Sequence, residues 1–216
     1  MSSVYVYAVS YDLGFAPNPF DGICSLACCK PRIRAAGKPG DWIIGLTGTS
    51  LPPALRCVFA MFVTKAITFD EYWAGTAFST RKAQRAGSLK KQVGDNIYHR
   101  ADPTKPWVQE DSVHSLESGA QCDLNTAHDT RVNRILLSDR FIYFGAAAPS
   151  VPKAILNSFG YTKNPRDYCK FEDSEVKGLL DWLKPQIGKQ PNRVVDDPIN
   201  FDDGSKRYSY RRKKMI

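Results

Sequence analysis

The chain has 216 residues, of which 43% are hydrophobic and 24% charged, a balance that excludes a disordered, collagen-like or coiled-coil protein. No apolar run approaches the ~18 residues of a membrane span, and the opening MSSVYVYAVSYD has neither the basic n-region nor the small-residue cleavage site of a signal peptide. The expectation is a cytoplasmic protein with no membrane partner. The formal charge is +8, but residues 206–216 hold six basic groups and no acid, which leaves +2 for residues 1–205.

Taken in chain order, residues 4–11 (VYVYAVSY) read as a buried strand. Residues 12–22, rich in Gly, Pro and Asn, read as a loop. The small-residue stretch 24–33 fits a short strand or a single helical turn, and Pro31 forbids a long helix. Residues 42–46 follow the Gly40-Asp41 turn as a compact strand, and 56–68 form one long β-rich run. A short helix with an acidic first turn starts at Phe69. Residues 78–100 predict a basic surface helix or long loop ending in a Gly94-Asp95 turn, and 101–130 a polar loop of the kind that is functional or mobile. A strand–turn–strand covers 131–145, and a short helix begins near Pro152. The clearest helix is 173–187, with Val176, Leu179, Leu180 and Leu183 on one face and Pro185 as its stop. The sum is an α+β fold with no βαβ period: one domain over 1–187 on a curved or barrel-like mixed sheet with peripheral helices, then a polar extended arm over 188–216 with a basic tail.

The common chemical signatures are absent. There is no GxGxxG or Walker loop, no HExxH, no GxSxG and no deaminase HxE with PCxxC. Cys24, Cys28 and Cys29 are close together but no CxxC pair recurs, so the six cysteines read as buried apolar residues in a reducing compartment, and neither a metal nor a cofactor is expected. What remains is an inventory of loop residues. Asp12, Asp95, His99 and His114 are candidate acid–base groups. Trp42 and Trp107 are candidate stacking rings, and Asn18 and Asn96 candidate readers of a base edge. Arg81, Lys82, Lys90 and Lys91, with Arg211, Arg212, Lys213 and Lys214 in the tail, are candidate contacts to a nucleic-acid backbone.

Three segments carry a resemblance. They are Tyr11–Phe20 running into CSLACCKPRIR (24–34), GDWIIG (40–45), and GDNIY (94–98) with LSDRFIYFG (137–145). Together they resemble the nucleotide-modification-associated domain family, second type, over residues 4 to about 185. That family is linked to phage and bacterial DNA-base modification, and the resemblance supplies no catalytic residue. The matching positions with chemistry to offer are Asp12, Asn18, Lys30, Arg34, Asp41, Asp95, Asn96 and Tyr98. The Gly-Asp-Trp turn into a strand is also similar to PUA-like domains of the EVE and ASCH kind, which implies a small curved sheet and a base held in an aromatic-lined pocket.

Three functions follow as expectations. The first is recognition of a modified nucleobase or nucleotide by Asn18, Lys30, Arg34, Trp42, Asn96, Tyr98 and Trp107. The second is an enzyme using Asp and His acid–base chemistry on such a ligand. The third is a small-molecule sensor or interaction domain. The partner expected is a nucleic acid or nucleotide, with a homodimer as the common default for a soluble protein.

Overall fold

A computed structural model describes residues 2–162, 167–188, 190–209, 211–212 and 214–216. Its strands are β1 (Ser3–Val9), β2 (Cys24–Leu26), β3 (Trp42–Thr47), β4 (Cys57–Phe62), β5 (Lys65–Ile67), β6 (Tyr98–His99), β7 (Val108–Gln109), β8 (Ile135–Ser138), β9 (Arg140–Tyr143), β10 (Cys169–Glu172), β11 (Asn192–Val194), β12 (Tyr208–Ser209) and β13 (Lys214–Met215). The helices are α1 (Pro31–Ala36), α2 (Phe69–Ala74), α3 (Leu89–Gln92), α4 (Asp123–Thr130), α5 (Lys153–Ser158) and α6 (Lys177–Ile187).

The central sheet has six strands in the order β10-β1-β3-β4-β9-β11, mixing parallel pairs (β1 with β3, β9 with β11) with antiparallel ones. β1 is apolar throughout because both its faces are covered. Val4 and Val6 join the cluster under α5 and α6, where Leu156, Leu179, Leu183 and Ile187 pack. Tyr5, Tyr7 and Val9 face the opposite way, onto Phe59, Phe141, Cys24 and Ile33. That second face carries a smaller sheet, β2-β8-β5, which with α2 and residues 93–113 builds a third apolar cluster around Phe69, Tyr72 and Tyr98.

The mixed sheet with peripheral helices matches the sequence expectation. Barrel closure does not: among the described residues the main sheet stays open, with β10 and β11 as its edges and β2, β5 and β8 in a separate sheet. No helix among the described residues is long and apolar enough to cross a membrane.

Three local differences have physical causes. The run 56–68 is two strands, because the chain changes partners at its middle. The Val63 N–H donates to the Asp41 carbonyl of the main sheet side (2.8 Å), while the Thr64 N–H donates to Leu137 of the small sheet (2.9 Å). Pro185 sits inside the last turn of α6 rather than ending it before that turn. The polar segment after residue 188 packs along the domain. Its β11 pairs with β9, and Asp12 fastens its next turn by accepting the Ile199 N–H (3.0 Å), while the Asp12 N–H donates to Asn200 (3.0 Å).

Candidate active site

β2 ends at Leu26 and α1 begins at Pro31, and the turn between them places two successive non-glycine residues in the left-handed region, Cys29 (φ 57°) and Lys30 (φ 39°). Each such residue costs on the order of 1–2 kcal/mol against the ordinary backbone, so the turn needs external support. The Cys29 N–H donates to Asp129 Oδ1 (2.8 Å), and the Cys29 carbonyl accepts from Arg34 Nε (2.9 Å). Arg34 is fully buried and spends its remaining donors on the carbonyls of Asp129 (2.5 Å), Val132 (3.0 Å) and Arg134 (2.7 Å). One guanidinium thus ties the start of α1 to the end of α4.

This support aims a side chain. Cys29 Sγ lies 3.6 Å from His114 Nε2. On the far side of the ring, His114 Nδ1 donates to Asp129 Oδ2 (2.8 Å), which also accepts the Tyr98 hydroxyl (3.0 Å). Gln109 Nε2 donates to that same tyrosine oxygen (3.0 Å). Asn125, on α4, donates to the His114 carbonyl (2.6 Å), and Phe15 packs edge-on to the imidazole at 4.7 Å. Thiol, imidazole and carboxylate therefore stand in line, with the acid deepest. Burial alone would pull His114 down, but the Asp129 carboxylate and the Cys29 sulfur outweigh it and push its pKa up to about 10. Burial likewise opposes ionisation of Asp129, yet His114 and Arg34 hold its carboxyl below the usual range.

The line opens into a cavity of about 780 Å³ bordered by Tyr7, Phe15, Cys29, Lys30, His114 and Tyr208. Arg32, His128 and Arg131 also border it, and Asp167 is its one acidic side chain among the described residues. The Lys30 ammonium sits 4.5 Å from the Tyr7 ring centroid and reaches the Asp167 carbonyl at 3.5 Å. Tyr208 and Met215 come from the hairpin β12–β13, so the basic tail forms one wall. That wall is pinned: Arg207 makes a two-pronged pair with Asp111 (2.8 Å), and the Tyr208 carbonyl accepts from Asn125 (3.1 Å).

Of the residues predicted from sequence, Lys30 and His114 border this cavity, and Arg34 and Tyr98 support it from behind. The others lie elsewhere. Trp42 is in the core against Phe62, with ring centroids 5.3 Å apart. Asn96 is buried and donates to the Tyr72 and Phe78 carbonyls (2.9 and 3.3 Å). Asn18 is buried and donates to the Val93 carbonyl (3.0 Å). Trp107 lies against Phe69 and the Arg100 guanidinium. Asp12 accepts the Tyr143 hydroxyl and holds the 199–200 turn. Asp95 is sealed with Ser25, Tyr72 and Arg81. His99 stacks on Trp73 (4.1 Å) and bonds Glu110 (2.8 Å), beside a second cavity of about 280 Å³.

Among the basic residues, Arg81 is buried and engaged by the Asn18–Ser25 loop, Lys82 lies 3.6 Å above the Trp73 ring, and Lys90 pairs with Asp21. Lys91, Arg211, Arg212 and Lys214 are exposed, and Lys213 lies outside the described residues. Arg81 therefore has no free face for a phosphate, because its donors are spent on Phe20, Ile23, Asn18, Ser25 and Tyr72.

The sequence reading missed Cys29 and Asp129. A cysteine followed by Lys-Pro at the junction of a strand and a helix was the available signal for the first. Nothing local marks the second, which reaches the turn from 100 residues away. Cys28 is also near: its sulfur, His114 and Asp129 place ligand atoms within 4.8 Å of one another.

No curated protein and no solved structure matches the chain. The family model described as nucleotide modification associated domain 2 matches residues 1–205, all of the site except its hairpin wall. The chain belongs to the nucleotide modification associated domain 2 family.

Proposed function

We propose that this protein is a thiol-dependent enzyme of nucleotide modification, in which Cys29 attacks a nucleotide-type ligand bound in the cavity. The observation that carries the reading is the line Cys29 Sγ–His114 Nε2 (3.6 Å) and His114 Nδ1–Asp129 Oδ2 (2.8 Å) at the cavity wall. With its pKa raised to about 10, His114 holds a proton beside the sulfur as the imidazolium and gives it to a leaving group. Asp129 fixes the imidazole orientation and stabilises its cationic form. The ligand class rests on the family together with the lining: Phe15 and Tyr208 offer apolar faces for a base, and Arg32 and Arg131 offer cations for phosphates. The base pocket expected from Asn18, Trp42, Asn96 and Trp107 is replaced by this one, because those four side chains are spread over separate parts of the fold.

The test is alkylation by iodoacetamide followed by peptide mapping, with and without modified and unmodified mononucleotides. Cys29 is expected to label ahead of the buried cysteines 24, 28, 57 and 122, and a bound nucleotide should protect it. Labelling spread evenly over the cysteines, or no protection by any nucleotide, would contradict the reading.

The three ligand atoms of Cys28, His114 and Asp129 favour a second reading, a divalent metal site. Asp129 already accepts from Cys29, Tyr98 and His114, and the two His114 nitrogens face Asp129 and Cys29. Stoichiometric zinc that blocks Cys29 alkylation would support the metal instead.

A further inference from the structure

Two polar groups of the cavity have no role in the line of Cys29, His114 and Asp129. The Tyr7 hydroxyl is buried and has no hydrogen-bond partner among the described residues, although burying a hydroxyl without one is unfavourable. Tyr7 lies on β1 and borders the same cavity as Cys29. The Lys30 ammonium, one residue past the nucleophile, has among the described residues a long contact to the Asp167 carbonyl (3.5 Å) and one to the face of Tyr7 (4.5 Å). Both groups feel the Cys29 sulfur: burial and then Cys29 raise the Tyr7 hydroxyl, while burial lowers Lys30 against the pull of Cys29 and Asp167. A hydroxyl donor and a cation that border the same cavity as a nucleophilic sulfur are what a developing oxyanion requires.

Building on the thiol reading above, we infer that Tyr7 and Lys30 receive the oxygen of a carbonyl attacked by Cys29, so that the substrate is an acyl compound and the reaction is acyl transfer through a thioester. The step balances as follows. The Cys29 sulfur bonds the carbonyl carbon, and the carbonyl π pair moves onto oxygen, where Tyr7 and Lys30 stabilise it. The oxyanion then collapses, the bond to the leaving amine or alcohol breaks, and that group leaves with the proton held by His114. Water or an acceptor amine next attacks the thioester, gives its proton to His114, and releases the Cys29 thiolate. No oxidant or cofactor is needed.

The experiment compares two electrophiles on the full-length protein. Iodoacetamide loses iodide without forming an oxyanion, whereas p-nitrophenyl acetate must pass through one. Tyr7→Phe removes only the orphaned hydroxyl, and Lys30→Arg keeps the charge but moves the donor. Tyr7→Phe should slow the p-nitrophenolate burst by roughly 10- to 100-fold while leaving the iodoacetamide rate within about twofold. Lys30→Arg should lose less of the burst than Lys30→Met. The acetylated peptide in the wild type should be the one containing Cys29. A Tyr7→Phe burst equal to wild type, with alkylation intact, would overturn the acyl-transfer inference and leave the thiol reading standing. Alkylation that does not depend on His114 would overturn both.

Discussion

Two buried polar clusters lie near each other in this molecule and are built from similar parts. One joins Asp129, Tyr98, His114 and Arg34. The other joins Asp95, Tyr72, Ser25 and Arg81. In each a fully buried carboxylate accepts a tyrosine hydroxyl, and an arginine stitches the surrounding carbonyls. They differ at the open end. The Asp95 cluster closes on itself, with Arg81 Nε at 3.4 Å from the carboxylate and 2.6 Å from the Tyr72 oxygen, and no member borders the main cavity. The Asp129 cluster passes through an imidazole to a sulfur on a strained turn and ends in a cavity. Their electrostatics separate too. Burial raises Asp95 despite Arg81, while the cations around Asp129 hold it ionised. A buried carboxylate is thus a fastener or a reagent according to where its hydrogen-bond chain leads.

The comparison is broken most severely by swapping the expected losses. His114→Asn and Asp129→Asn should each lower Cys29 reactivity by roughly 10²–10⁴-fold, a range typical of losing the base or its orienting acid, and His114→Asn should leave the far-ultraviolet dichroism unchanged. Arg81→Met should do the reverse. It leaves Asp95 buried without its cation, a cost of about 3–5 kcal/mol, readable as a urea midpoint shift, with Cys29 labelling in the folded fraction preserved. A fold that tolerates Arg81→Met, or a Cys29 that responds to it, would erase the distinction.

The pH dependence sharpens it. The His114 pKa is raised in the fold, so its contribution to stability is complete below the unfolded value near 6.5 and is lost as pH rises through about 10. Asp129 is lowered, so its contribution is present above the ordinary carboxylate range and lost as pH falls through the folded value. Thermal melts should therefore fall toward pH 10 in the wild type, and His114→Asn should flatten that alkaline limb. The smallest effect expected is from truncation before Arg207. That removes Tyr208 and Met215 from the cavity wall together with one partly exposed ion pair worth about 1 kcal/mol or less. It should speed Cys29 labelling by an aromatic disulfide reagent more than it lowers the melting temperature.

The frame of the fold was legible in the sequence where one physical signal dominates. β1 and β3 show it in β-branched and aromatic runs, and α6 shows it in the spacing of Leu179, Leu180 and Leu183. α4 was not legible, because the face it buries is polar. Asn125, Thr126 and Asp129 point inward, so no apolar stripe marks the helix. For the same reason the 101–130 region read as a loop although it carries His114 and Asp129. His114 was found through residue type alone, and Lys30 through the family resemblance of the 24–34 segment. Cys29 looked like its buried neighbour Cys28, and what separates them is the positive φ of the turn and a partner 85 residues away. Asn18, Asn96 and Asp95 looked like loop chemistry because glycine and proline surround them, yet the fold turns all three inward.

The central claim is that His114 and Asp129 make Cys29 a nucleophile. Its most direct test is the rate of iodoacetamide alkylation at Cys29 near neutral pH, followed by peptide mass, in wild type and in His114→Asn. The account predicts that the wild type labels at Cys29 first and that the variant is slower by about 10²-fold or more. Equal rates in the two proteins would contradict it.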